Sequence, residues 1–158
     1  MTTQHSRPHM PGYGIVPEGE GAGLLPWSFV EERMETSRNY WIASTRPDGR
    51  PHAAPVWGIW HLGDFYFSTG DASRKSRNLA RNPTVGVHLE SGDEAVILEG
   101  EVIAIRADDL LKSLDKVYKA KYGVSMTGPG SVYRLNAQRA FAWREKDFPE
   151  SATRWIFD

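Results

Sequence analysis

Between Tyr40 and Arg106 the sequence alternates short runs of aromatic and β-branched residues with tight turn signals, and this rhythm constrains the fold most strongly. Tyr40–Thr45 is the first strand-like run. Arg46-Pro47-Asp48-Gly49-Arg50 then supplies Pro, Asp and Gly, the residues a tight turn needs. His52–Trp60 and Phe65–Thr69 follow, separated by His61-Leu62-Gly63-Asp64, so two successive hairpins make a meander. Such short links exclude a doubly wound parallel sheet, whose strands need long crossover connections. A barrel is the usual way for a sheet of this kind to remove its edges.

The rest of the chain extends the pattern. Ser28–Arg38 reads as a helix, with Ser28 and Glu31 spaced as a capping box and Phe29, Val30 and Met34 facing inward. Ser73 is placed to cap a helix over Arg74–Asn82, with Leu79 as inward anchor and Pro83 ending it. Thr84–Glu90 and Ala95–Arg106 read as strands, the second with a bulge or bend at Gly100. Asp108–Tyr122 is the clearest helix: Leu110, Leu111, Leu114, Val117, Tyr118 and Tyr122 form one stripe, and Gly123 terminates it. Thr127–Gly130 reads as a loop. Ser131–Asn136, Ala140–Arg144 and Arg154–Phe157 read as closing strands. The fold class expected is therefore mainly β: an antiparallel barrel of about seven short strands with two or three peripheral helices. Residues 1–26, interleaving Pro8, Pro11, Pro17 and Pro26 with five glycines from Gly12 to Gly23, are expected to form a flexible N-terminal segment without a regular ladder. Residues 27–158 then form the single barrel domain.

Composition narrows the chemistry. The 158 residues contain no cysteine, which excludes disulfides, thiolate metal sites and a cysteine nucleophile. A net charge of −1 gives no overall pull toward nucleic acid or an anionic membrane, so neither is expected as a partner. No apolar run reaches the length of a membrane span and no signal peptide is evident, which makes the cytoplasm the expected location. His5, His9, His52, His61 and His88 show no helical ligand spacing, so no metal is expected. Glu99 and Glu101 share one strand face, which a wet surface explains. No nucleophile elbow, Walker loop or dinucleotide fingerprint is present.

One segment carries chemistry. Phe65-Tyr66-Phe67-Ser68-Thr69-Gly70-Asp71-Ala72 runs from a strand into a loop, and the next helix opens on Ser73-Arg74-Lys75 with Arg77 and Asn78 a turn later. Free N–H groups in a helix's first turn favour an anion. Ser73 adds a hydroxyl, Arg74 a planar fork of donors and Lys75 a mobile charge, a good set for a phosphate ester. A solvated basic face explains the same residues, but cations in a first turn oppose the helix dipole, which a bound anion would compensate. Pro51–Trp60 combines small residues with a mid-strand Gly58, which lets a flat ring approach the backbone, although barrel packing explains this segment alone more simply. Trp57 and Trp60 are expected on opposite faces of the sheet. His52 is a candidate for substrate contact.

Taken together, Tyr40–Thr45, Arg46–His52, Pro55–Trp60, Phe65–Gly70 and Ser73–Pro83 resemble the pyridoxamine 5′-phosphate oxidase superfamily, most closely its flavin/deazaflavin oxidoreductase branch, over about residues 27–106. Thr153-Arg154-Trp155-Ile156-Phe157 has the same look. The resemblance implies a split β-barrel of the FMN-binding type and a homodimer with the cofactor at its interface. It implies cofactor phosphate on Ser73, Arg74 and Lys75, further contacts from Ser68, Thr69, Arg77 and Asn78, and Pro55, Val56 and Trp57 beside the ring. The oxidases proper carry an Arg and a Lys on the second strand where this chain has Ala54 and Ile59. With no evident C-terminal segment for pyridoxal phosphate, vitamin B6 oxidation is disfavoured. Coenzyme F-420 is implied instead, its acidic tail served by Arg77 and Arg81, with FMN close behind. The function expected is hydride transfer between that cofactor and an unsaturated small molecule, with the proton donor unassigned. The alternatives are an FMN-dependent oxidase or reductase and a non-catalytic flavin- or haem-binding protein.

Overall fold

A computed structural model describes residues 3–15, 22–126, 128 and 130–158. The meander forms, with one change. The ladder starts at β2 (Tyr40–Thr45), which pairs antiparallel with β3 (Pro51–Val56) from Tyr40 opposite Val56 to Thr45 opposite Pro51. The strand expected over His52–Trp60 breaks at Trp57. The second piece, β4 (Gly58–His61), pairs with β5 (Asp64–Gly70) instead of continuing the first ladder. Gly58 explains the tight approach there: a Cβ would overlap the Phe65 ring.

The sheet continues through β6 (Thr84–His88) and β7 (Glu94–Ile105) to β8 (Gly130–Arg144) and β9 (Thr153–Phe157). Strand β8 runs unbroken for 15 residues where two strands were expected. One of its edges pairs with β7 over 132–144, interrupted only at the register slip, while the other pairs with β5 over 130–135 and with β9 over 139–142. Between these the two sheet branches part. The register of β7 against β8 slips between Glu99 and Gly100, so the bend expected at Gly100 is a β-bulge. The sheet is antiparallel and does not close, since β3 and β4 are not paired with each other, which is a split barrel.

The N-terminal segment departs from expectation. Strand β1 (Thr3–Ser6) pairs with β9, so a ladder does form ahead of Pro8. Arg7 is buried and donates to the carbonyls of Glu150, Ala152 and Ala22, tying this segment to the chain's far end. Pro17, Gly19 and Gly21 lie outside the described residues, as do Thr127 and Pro129 of the expected loop. With β1 added, one run split at Trp57 and two fused in β8, the eight runs read from the sequence, summarised as about seven strands, become nine among the described residues.

Helices close the ends. Helix α1 (Trp27–Thr36) starts one residue early and ends two residues short of Arg38; its N-cap is Pro26, and no side chain caps it, so the expected Ser28 box is absent. Phe29, Val30 and Met34 are buried as expected. Trp27 leads the helix into an aromatic cluster, edge-on to Trp155 at 5.3 Å and to Phe157 at 5.2 Å. Helix α2 (Arg74–Arg81) and helix α3 (Asp108–Tyr122) occupy their expected positions, α3 ending on Gly123 in the left-handed region. A short α4 (Phe148–Ser151) precedes β9.

Strand β5 is buried on both faces, which explains its continuous apolar run. Phe65 and Phe67 enter the barrel core, while Tyr66 joins a second cluster with Ile59, Leu114, Tyr118 and Val132 beneath α3. The end of α3 is fastened to the strand break. Tyr122 Oη donates toward the Gly58 and Arg38 carbonyls at 2.8 and 2.7 Å, and its ring stacks on Trp57 at 4.6 Å. Lys121 Nζ donates to Tyr40 Oη at 2.7 Å and to Gly58 O at 3.0 Å. Burial, with repulsion from Arg38 added, pushes the Lys121 ammonium down to about 8.

Two outcomes are expected. A Cβ at Gly100 would overlap the Asn136 carbonyl and the Ala137 Cα, both backbone, so Gly100→Ala should cost about 1–3 kcal/mol, read as a lower urea midpoint. An unchanged midpoint would mean the bulge does not hold the two strands this closely. For Lys121 the folded group loses its proton near pH 8, while the unfolded one keeps it to about 10.4. The unfolded chain therefore binds more protons between those values, and stability should rise with pH across that window. Urea midpoints from pH 7 to 9.5 should climb for the natural chain relative to Lys121→Met, and parallel curves would refute the buried cation.

Candidate functional site

The basic segment folds into a capped helix start. Strand β5 ends at Gly70, whose carbonyl accepts from Ser73 N–H at 2.9 Å. Ser73 is the N-cap of α2, and its Oγ accepts from Ser76 N–H at 3.1 Å. Thr69 Oγ1 lies 2.9 Å from Ser73 Oγ. If Thr69 donates in that pair, the Ser73 hydroxyl proton remains available to a ligand. Asp71 accepts from Ser131 Oγ at 2.8 Å and holds the intervening loop against β8. No acidic residue stands in the helix's first turn. The N–H groups of Arg74 and Lys75, in that first turn, have no carbonyl partner within their own helix.

The buried face of α2 comprises Ser76, Asn78 and Leu79, leaving Arg74, Arg77 and Arg81 exposed and Lys75 half-buried. Asn78 is fully buried and its Nδ2 donates to Ser44 Oγ at 3.0 Å, pinning the helix onto β2. In the ladder Ser44 stands opposite His52. The junction of β2, β3 and α2 thus collects the helix start and His52.

Arg46 joins them, a residue the sequence placed in a turn and assigned no binding role. Burial and then the charges of Arg46, Lys75 and Arg74 hold His52 below the usual imidazole range. His52 Nδ1, Arg46 Nε and Asn78 Oδ1 are all shielded from solvent without a hydrogen-bond partner. Three cations around a shielded nitrogen form a site suited to an anion. A phosphate group fits this donor set: the open first-turn N–H groups, Ser73, Arg74, Lys75 and Arg46.

The remaining expected residues are more spread out. Ser68 is half-buried and Thr69 buried at the end of β5. Pro55 lies exposed on the outer face of β3, while the Val56 side chain belongs to the core, so only its backbone can border a ligand. Trp57 is 38% exposed, stacked on Tyr122 with the Arg38 guanidinium 5.1 Å from its ring centre. At 3.3 Å per residue, Trp57 lies roughly 16 Å along the chain from His52. A group with a ring at one end and a phosphate at the other spans such a distance. Trp60 instead packs on the main core beside Trp27, so the two tryptophans do part.

Two cavities border these elements. A groove of about 440 Å³ runs past Ala43, Ser44, Thr45, Pro51, Gly86 and Glu99, next to the basic junction. A cleft of about 630 Å³, lined by Trp27, Trp60, Asp64, Gln138, Arg139 and Phe157, opens at the other end of β5 where the sheet branches part. Half-buried His88 stacks on Trp41 and its Nδ1 lies 2.8 Å from Leu89 O. Among the described residues no helix is long and apolar enough to cross a membrane.

Solved structures share this architecture. A conserved hypothetical protein of Mycobacterium tuberculosis is 22% identical, with a TM-score of 0.70 over 82% of this chain and 90% of its own. An F-420 reductase is 22% identical, with a TM-score of 0.57 over 79% of this chain and 98% of its own. The haem storage protein HutZ of Vibrio cholerae is 16% identical, with a TM-score of 0.59 over 72% of this chain and 91% of its own. At such identities the likeness is one of fold. No curated protein matches the chain. The sequence model of the family described as pyridoxamine 5′-phosphate oxidase spans residues 28–144, from the first turn of α1 to the last residue of β8. A match that takes in the barrel strands from β2 to β8 together with the basic helix start shows that the chain belongs to the pyridoxamine 5′-phosphate oxidase family.

Proposed function

We propose that this chain is an oxidoreductase that holds a deazaflavin (coenzyme F-420) or flavin (FMN) by its phosphate at the β2–β3–α2 junction. The observation that carries this reading is a helix start capped by Ser73, braced by Thr69, that carries Arg74 and Lys75 and no acid in its first turn. When bound, the cofactor ring supplies hydride transfer with an unsaturated small molecule. The chain's own part is positional. Ser73, Arg74 and Lys75 fix the phosphate, Ser68 and Thr69 border it, and the backbone from Pro55 to Trp57 sets where the ring lies. Arg77 and Arg81, exposed one and two turns further along α2, suit an acidic tail. Asn78 acts on the helix through Ser44 rather than on the ligand. No residue is assigned as proton donor. The F-420 reductase among the structural neighbours supports the deazaflavin, and Ala54 and Ile59 weigh against vitamin B6 as substrate.

A homodimer with the cofactor at its interface belongs to the same reading. Ala43, Ala53 and Pro55 leave a small-residue outer sheet face exposed, flat enough for a second copy to approach. The reading keeps the cytoplasm as location and names neither nucleic acid nor membrane as partner, in line with a net charge of −1. A second reading is a non-catalytic haem-binding protein. It is favoured by HutZ and by a haem-binding protein of Mycobacterium smegmatis among the structural neighbours, with half-buried His88 as the candidate ligand.

Fluorescence titration of the purified chain with coenzyme F-420 and with FMN tests the proposal. Tight binding of either is expected, and Lys75→Ala should weaken it about 10- to 100-fold, the loss of a charged hydrogen bond of roughly 1.5–3 kcal/mol. Binding of neither would overturn the function. A Soret band on adding haem, lost in His88→Ala, would replace it with the haem reading.

A further inference from the structure

We propose that Arg46 and His52 complete the anion subsite of this chain, and that His52 takes up a proton when a phosphate group occupies it. The inference rests on the phosphate site proposed above and concerns residues that the Ser-Arg-Lys signature does not include.

The geometry comes first. His52 stands opposite Ser44, and Ser44 is hydrogen-bonded to buried Asn78 of α2, so the imidazole is the cross-strand neighbour of the residue on which that helix docks. Its Nδ1 is shielded from solvent and without a partner, as is Arg46 Nε. Arg46 Nε–H can only donate, and His52 Nδ1 can donate when it carries a proton. Arg46 Nε–H therefore lacks an acceptor, and His52 Nδ1 wants one as soon as it is protonated. Asn78 Oδ1 is itself an acceptor, is not served by an anion and takes no part. An unpaired buried polar group is costly, so two of them at one junction, with Arg74 and Lys75 beside them, mark a place shaped for a ligand rich in acceptors.

The charges agree. The groups acting on His52 are Arg46 from the β2–β3 turn and Lys75 and Arg74 from α2, all cations. The carboxylates of the adjoining loops are already engaged, Asp48 with Arg50 at 2.8 Å and Asp71 with Ser131 at 2.8 Å. In the free chain burial and this crowd of cations disfavour protonation of the ring. A phosphate group placed among them reverses the balance: the repulsion from three cations is offset, and the protonated imidazole becomes a charged donor to the anion. Anion binding and protonation of His52 are then linked, each favouring the other.

The test is a pH titration of the His52 ring by NMR on the full-length chain. It is run free, with inorganic phosphate, with FMN and with riboflavin, and with chloride matching ionic strength throughout. The midpoint is expected to rise by at least one pH unit with inorganic phosphate and with FMN, a tenfold linkage, and to stay in place with riboflavin. Arg46→Gln should raise the midpoint of the free chain, weaken phosphate and FMN about tenfold and leave riboflavin affinity and the thermal midpoint unchanged. A midpoint unmoved by saturating phosphate, or moved equally by riboflavin, overturns the inference. If phosphate moves His52 but neither FMN nor coenzyme F-420 binds, the subsite stands and the cofactor reading fails.

Discussion

The structure depends on one strand serving two sheets. Strand β8 keeps a single partner, β7, along one edge and divides its other edge between β5 and β9. A continuous ladder with β7 keeps the barrel a single body, while the divided edge forces it to split. The bulge at Gly100 supplies the local twist that lets β7 follow β8 through the change. No side chain fits there, because the Asn136 carbonyl occupies the space a Cβ would need. The core then divides to match. One cluster fills the barrel, and a second lies between β4, β5, β8 and the apolar stripe of α3.

Against this frame α2 is a local compromise. Its first turn carries Arg74 and Lys75 and no acid, the reverse of what the helix dipole favours. Eight residues are too few for a helix to hold by propensity. It is held by Leu79 in the core, by Asn78 on Ser44 and by the cap of Ser73, itself braced by Thr69. Local rules broken and tertiary contacts making up the difference are what a binding site looks like in a stable fold. A loop would carry the same charges with less precision, whereas here the helix start is anchored to two strands.

Much of this was legible in the chain. Strand β2 and helix α3 fall where aromatic alternation and the Leu and Tyr stripe put them, and α2 differs by one residue. Three errors share a cause. The break at Trp57, the fusion of two strands into β8 and the strand at Thr3–Ser6 are matters of which strand pairs with which. Local patterning marks a segment as extended but does not name its partner. The absent Ser28 cap is a different case: Trp27 is drawn into the aromatic cluster with Trp155 and Phe157, and that packing starts the helix before the serine.

What the sequence by itself determined is therefore local: antiparallel strands from turn chemistry, a capped basic helix start from Ser73-Arg74-Lys75, and a bend from Gly100. Only the tertiary structure decided that Arg46 and His52 stand with that helix start. Arg46 reads as part of a turn and His52 as a strand residue. They meet α2 because the β2–β3 register sets His52 opposite Ser44 and because Asn78, 34 positions further along the chain, bonds to that serine. A contact across such a separation is fixed by sheet register and helix docking, which no local window of residues contains.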